Sequence, residues 1–203
     1  MDEKPTRMRG SERRALILAQ SKKVFARNGY QEASTSELAR ASGVTEPMLY
    51  KHFASKRALY LAVLDLLHEQ FMERFTKMVE QKSARDLQES LGSLLLDYRD
   101  AAMQDHDGIH LLLDAALESD DPDVAVIMEA HNQRMYALVS GLLEKAREQG
   151  LVYRSLDLAA GTWGFLSLMF GLQYRARVGM FEQFNEQVIG EINRLWFQAL
   201  KTG

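Results

Sequence analysis

Residues 34–56 read STSELARASGVTEPMLYKHFASK. Two short amphipathic patterns flank Ala41-Ser42-Gly43-Val44, the layout of a helix, a glycine turn and a second helix. Ser34 and Glu37 stand at capping-box spacing, so Ser34 can accept from the Glu37 N–H while the Glu37 carboxylate reaches back. Leu38 and Ala39 give the first helix a small inner face, and Gly43 can take the positive φ that ends it. Thr45 then caps a second helix with Pro47 in its first turn, where a missing N–H costs little. Leu49 and Phe53, four apart, point inward and leave Glu46, Pro47, Met48, Tyr50, Lys51 and His52 on or near the outer side.

An exposed first turn carrying polar, methyl-bearing and aromatic groups is the form a recognition helix takes in the major groove of double-stranded DNA. Lys51, Lys56 and Arg57 follow it, and Arg7, Arg9, Arg13 and Arg14 precede it, so phosphate contacts could flank the inserted helix. A helical hairpin with an ordinary solvated face shares this layout. The charge is unevenly spread along the chain. Residues 1–57 hold 12 Lys and Arg against 6 Asp and Glu, and the rest hold 13 against 22, giving a net charge of −3 over 203 residues. A basic head on an acidic body implies that only the head meets a polyanion.

Tyr30 after Asn28-Gly29, then Glu37-Leu38-Ala39, Gly43-Val44-Thr45, Leu49-Tyr50-Lys51-His52-Phe53 and Lys56-Arg57-Ala58-Leu59 resemble the N-terminal signature of the tetracycline-repressor (TetR/AcrR) family. The resemblance covers about residues 11 to 71. It implies that Thr35, Thr45, Tyr50, His52 and Lys56 contact phosphates and that Ser36, Pro47 and Met48 face base edges. Hydroxyls and an ammonium suit phosphate, and Pro47 and Met48 offer apolar surface to a thymine methyl. Glu46 departs from the lysine or glutamine often found there. It either accepts from a cytosine N4 or caps the helix dipole, the latter being favoured.

The whole-chain figures narrow the class. The length fits one large or two small domains, the composition is 46% hydrophobic and 26% charged, and cysteine is absent, which excludes disulfides and thiolate metal sites. No apolar run approaches the ~20 residues of a membrane span, and MDEKPTRMRG lacks the apolar core of a signal peptide, so no membrane partner is expected and the cytoplasm is the expected location.

Taken in order, residues 1–10 read as a flexible basic arm in which Arg7 and Arg9 either reach a groove or form a solvated tail. Ala15, Leu18, Ala19, Lys22 and Phe25 or Ala26 trace the face of a helix opened at Ser11 and closed by Gly29, with Tyr30 packed beneath the two short helices. Ser55 caps a long fourth helix with Leu59, Ala62, Val63, Leu66 and Leu67 inward, continuing to Phe71 and Phe75 and suited to pass a ligand signal to the recognition helix. After a break at residues 82–85, Leu87, Leu91, Leu94, Leu95 and Tyr98 begin another helix. Domains are therefore expected at 1–10, 11–71 and 72–203, the last binding effector and dimerising. The fold expected is all-α with about nine helices, an N-terminal three-helix helix-turn-helix domain joined to a C-terminal helical domain.

His106, His110 and Asp114 are each four apart, a spacing compatible with a divalent metal, but Gly108 can delay helix onset, so surface or pocket-lining roles read better and no metal is assigned. Asp121-Pro122 starts a helix of about 27 residues, ~40 Å long, reaching Gly150, with His131 read as a satisfied core histidine. In the next helix, from Asp157 to about Val178, Gly161, Gly164, Leu168 and Gly171 form a small-residue ridge and Trp163, Leu166, Phe170 and Tyr174 an aromatic one. The last, from about Phe184 to Leu200, turns Val188, Ile192, Leu195, Trp196 and Ala199 to one side. Interior glycines cost up to ~1 kcal/mol each, so close helix approach is expected at that ridge. Paired with Val188, Ile192, Leu195 and Trp196 it would form a four-helix interface between two copies, as the resemblance also implies.

An effector pocket is expected among Tyr98, Met103, His110, Met128, Met135, Trp163, Phe170 and Tyr174, residues that also read as plain core. No GxSxG, GxGxxG or P-loop is present, so an enzyme is not expected and no cofactor is assigned. The leading function is a ligand-responsive transcriptional regulator, read as a repressor, binding a palindromic DNA operator as a homodimer and released by a small, largely apolar or aromatic effector. The alternatives are a constitutive DNA-binding dimer and a helical small-molecule-binding protein.

Overall fold

The computed structural model describes residues 9–118, 120–180 and 185–201. Arg7 and most of the basic arm lie outside the described residues, as does Phe184. The described residues form nine helices: α1 (Gly10–Glu32), α2 (Thr35–Ala41), α3 (Glu46–His52), α4 (Lys56–Ser83), α5 (Leu87–Met103), α6 (His106–Glu118), α7 (Pro122–Glu148), α8 (Leu158–Arg177) and α9 (Glu186–Leu200). The fold is all-α with an N-terminal helix-turn-helix. The chain divides into one compact unit ending at Leu67 and a second beginning at His68, with α4 contributing to both.

In the first unit, Ile17, Leu18, Val24 and Phe25 of α1 pack with Leu38, Leu49, Phe53, Leu59 and Val63 as a buried core. Ala15 and Ala19 are exposed, so the inner face of α1 is rotated from the one the sequence pattern suggested and includes Ser21. Gly29 interrupts the helix at φ 72°, ψ 174°, a conformation that favours glycine. The turn it creates brings Tyr30 onto Tyr60 (4.8 Å between ring centroids) and Phe25 (6.4 Å). Tyr30 therefore packs against α4 as well as α1.

In the second unit, Phe71 and Phe75 of α4 pack edge-on against Tyr98 of α5 at 5.2 and 5.6 Å. Around them lie Leu91, Leu94, Met135, Val139, Phe165, Ile189 and Phe197. The α5 and α9 helices are fastened by a buried amide, Asn193, which accepts from Leu95 N (2.8 Å) and donates to Leu91 O (3.0 Å). Asp97, almost fully buried, is paired with Lys82 and accepts from Ser93, tying α4 to α5. Asp121 caps α7 through Asp123 N (2.9 Å) with Pro122 in the first turn, as the Asp-Pro pair suggested.

Candidate nucleic-acid interface and effector pocket

The turn between α2 and α3 is built by caps. Ser34 Oγ accepts from Glu37 N at 3.1 Å, Gly43 takes φ 65°, and Thr45 Oγ1 accepts from Met48 N at 3.4 Å. The expected capping box is only half formed. Glu37 turns away from the Ser34 N–H and accepts from Arg27 Nη2 (2.7 Å) and Asn28 Nδ2 (2.8 Å), because two strong donors at the end of α1 outbid one backbone N–H. Leu49 and Phe53 are buried, leaving Ser36, Thr45, Pro47, Tyr50 and Lys51 exposed and Met48 and His52 partly so. Arg14 lies over the Phe53 ring at 4.8 Å, which holds a guanidinium on this unit's surface.

Two of the residues assigned to DNA are engaged inside the protein. Lys56 Nζ donates to the carbonyls of Tyr30 (2.8 Å), Gln31 (3.2 Å) and Ala33 (2.9 Å) and sits 4.5 Å from the Tyr30 ring centroid. Its three protons are thus committed to the C-terminal end of α1, where helix carbonyls and dipole favour a cation, and a phosphate contact is displaced. Thr35 Oγ1 donates to Glu46 Oε2 at 3.0 Å, linking the first turns of α2 and α3. That contact, together with the position of Glu46 in the first turn of α3, accounts for the acid without a base contact.

A recess in the second unit is walled by α5, α6, α8 and α9. Its lining includes Tyr98, Met103, His110, Ile109, Leu172, Gln173 and Ile189, with Arg99 at the wall. Its inner slot is narrow, ≈ 40 Å³, within ≈ 470 Å³ of space that opens to solvent. Gln173 donates to the Tyr98 hydroxyl, and burial pushes the Tyr98 phenol well above its ordinary value. His110 is held below its ordinary value by burial first, then by His106 and Arg177, against the pull of Asp114 and Asp107. Of the residues expected at the pocket, Tyr98, Met103 and His110 line it. Met135 is fully buried core, Met128 is half-buried on α7, and Trp163, Phe170 and Tyr174 are about half exposed, outside the recess. Helical spacing puts those three rings on the face of α8 opposite Phe165, Met169 and Leu172, which point inward. Gln173 was the legible signal that sequence reading missed, an amide directly after the apolar run Leu168-Met169-Phe170-Gly171-Leu172.

The family model described as bacterial regulatory proteins, tetR family, matches residues 17–63. The transcriptional activator FasR of Mycolicibacterium smegmatis is 30% identical over 162 residues, spanning 76% of this chain and 69% of that protein. The chain belongs to the TetR family. It is accordingly a DNA-binding transcriptional regulator. The transcriptional repressor ComR of Escherichia coli is 24% identical over 195 residues, covering 93% of this chain and 90% of ComR. Among solved structures, FadR from Bacillus subtilis in complex with stearoyl-CoA superposes with a TM-score of 0.70 at 16% identity, covering 93% and 98% of the two chains. No described helix is long and apolar enough to cross a membrane.

In this TetR-family chain two glycines of the ridge lie against helices of the same subunit. A Cβ on Gly161 would lie 3.2 Å from Leu143 Cδ1, and one on Gly164 would lie 3.6 Å from Trp196 Nε1. Trp196 Nε1 donates to Gly161 O at 3.3 Å. Gly161 and Gly164 therefore admit α7 and α9 of the same chain, whereas the nearest side chain to Gly171 is its own helix's Arg175. On α9 the buried positions are Ile189, Asn193, Phe197 and Leu200. Val188, Ile192 and Trp196 are half-buried at the flank, as is Leu168 on α8, and Leu195 and Ala199 are exposed. The exposed apolar face is the aromatic one.

The remaining histidines also depart from expectation. The α6 helix begins at His106, so Gly108 does not delay it, and the His106 and His110 rings stand 4.0 Å apart. Asp114, however, is held by Arg177 at 2.7 and 3.2 Å, which removes the third candidate metal ligand. His131 is not a satisfied core histidine. Its Nδ1 and both nitrogens of His68 are buried without hydrogen-bond partners, and the two rings lie tilted against each other, 4.0 Å between centroids.

Proposed function

We propose that this regulator is a ligand-responsive repressor that binds a palindromic operator as a homodimer through α3 and leaves it when a small molecule fills the recess beside Tyr98. The observation that carries the DNA half is the presentation of α3: Leu49 and Phe53 anchor it while Pro47, Tyr50 and Lys51 stand outward. Ser36, Pro47 and Met48 are assigned to base edges, and Thr45, Tyr50, Lys51 and His52 to phosphates. The dimer contact is assigned to Trp163, Phe170 and Tyr174 of α8, Val178 just past its end, and Leu195 of α9. These are exposed, and the α8 residues recur at helical spacing on one side.

The release mechanism runs through Tyr98, which lines the recess and carries the Phe71 and Phe75 rings of α4. A ligand that displaces Tyr98 shifts the packing of α4, a single helix from Lys56 to Ser83. ComR supports the repressor sign and FadR, by its bound stearoyl-CoA, the existence of an effector in this fold. Selection of duplexes from a random pool by the purified protein tests the reading. An enriched inverted repeat, released by an organic extract of the native cells, is expected. No enrichment over competitor would end it, and enrichment that no extract relieves would leave a constitutive DNA-binding dimer.

A further inference from the structure

The recess is apolar except at a few side chains, and their bonding is incomplete. Tyr98 is buried, and its hydroxyl accepts from the Gln173 amide, which leaves the phenolic proton and Gln173 Oε1 available. His110 Nε2 is also buried and has no hydrogen-bond partner. Buried polar atoms nearly always find partners, so such atoms converging on one cavity mark where a ligand's own polar group completes them.

Charge around the slot is already balanced. Arg99 is held by Asp100 at 2.7 Å and Glu186 at 3.5 Å, and Arg177, beside the lining residue Ala176, is held by Asp114. An anionic head group would shed its water among paired cations and carboxylates, with no counter-charge to offset the loss.

We propose that the slot takes an uncharged, slender, apolar molecule bearing one hydrogen-bonding oxygen, a hydroxyl or a ketone, set against Tyr98, Gln173 and His110. The proposal rests on the effector-responsive reading and names its ligand class. Ile109, Leu172 and Ile189 meet the hydrocarbon. Tyr98 forms part of the slot's wall, so a molecule seated there bears directly on its ring.

The test is calorimetric titration of the full chain with four probes of matched tail: 1-decanol, 2-decanone, decanoate and decanoyl-CoA. The alcohol and ketone are expected to bind roughly tenfold or more tightly than the two anions. Tyr98→Phe, which keeps the ring and removes only the hydroxyl, is expected to weaken the neutral probes about fivefold or more at unchanged helical circular dichroism. Equal or tighter binding of either anion overturns the ligand class but leaves the effector reading intact, as does a Tyr98→Phe protein that binds the neutral probes like wild type. If no probe binds, the class is overturned. The effector reading then falls with it only if cell extract also fails to release the operator.

Discussion

Lowering the pH from about 7.5 to about 5 is expected to weaken the second unit through His68 and His131. Burial holds His68 down to about 3, helped by His131 and Arg134, and holds His131 down to about 4, helped by Arg134. In the unfolded chain both titrate near 6.5. Each is a base whose folded-state value lies below its unfolded one, so as pH falls the unfolded state takes up protons first. Stability is therefore full above 6.5 and drains away as pH drops toward about 4. At about pH 5, roughly 1.5 pH units below the unfolded value, each imidazole costs about 2 kcal/mol and the pair about 4 kcal/mol. That is a large share of the ~5–15 kcal/mol by which domains are stable. Urea unfolding at the two pH values and one protein concentration, for wild type and for the double variant His68→Leu, His131→Leu, isolates the effect. Wild type should lose about 4 kcal/mol more than the variant on acidification. An equal loss in both would refute a neutral, unpartnered pair.

Lys56→Met should cost about 2–3 kcal/mol in urea unfolding by stranding the carbonyls of Tyr30, Gln31 and Ala33, while leaving the salt dependence of operator binding unchanged. Lys51→Ala should do the reverse, with stability within about 0.5 kcal/mol of wild type and a salt slope shallower by about one per half-site. Asn193→Leu removes the amide between α5 and α9 and should cost about 1–3 kcal/mol, read as a lowered melting temperature. Trp163→Glu with Phe170→Glu should turn the dimer into a monomer by light scattering, with the helical signal intact. A variant that stays dimeric would remove the aromatic face of α8 as the contact.

Helix positions were legible because caps and turn residues declare themselves locally. Ser34, Thr45, Asp121 and Asp157 mark termini by their side-chain oxygens, Gly43 by its positive φ and Pro122 by its fixed φ, and each stands at a helix end. Choice of partner was not legible, because it depends on what folds alongside. Glu37 could cap its own helix or reach Arg27, and Lys56 could reach phosphate or the end of α1. Only tertiary structure ranks such options. The glycine ridge shows the same limit, since close approach was required by sequence but the approaching helix could belong to either copy. The pocket was half legible: Tyr98, Met103 and His110 line it, whereas the exposed aromatics of α8 looked equally suited to it because periodicity gives faces without saying which is inward.

Hydroxyl-radical footprinting of the purified protein on its selected duplex bears most directly on the role of α3. Insertion of two copies of α3 requires paired protections on one face of the DNA, with centres about one helical turn (~34 Å) or a whole multiple apart. The paired protections should fade together in a protein carrying Pro47→Gly and Met48→Gly. A single patch, or a footprint unchanged by those substitutions, would contradict it.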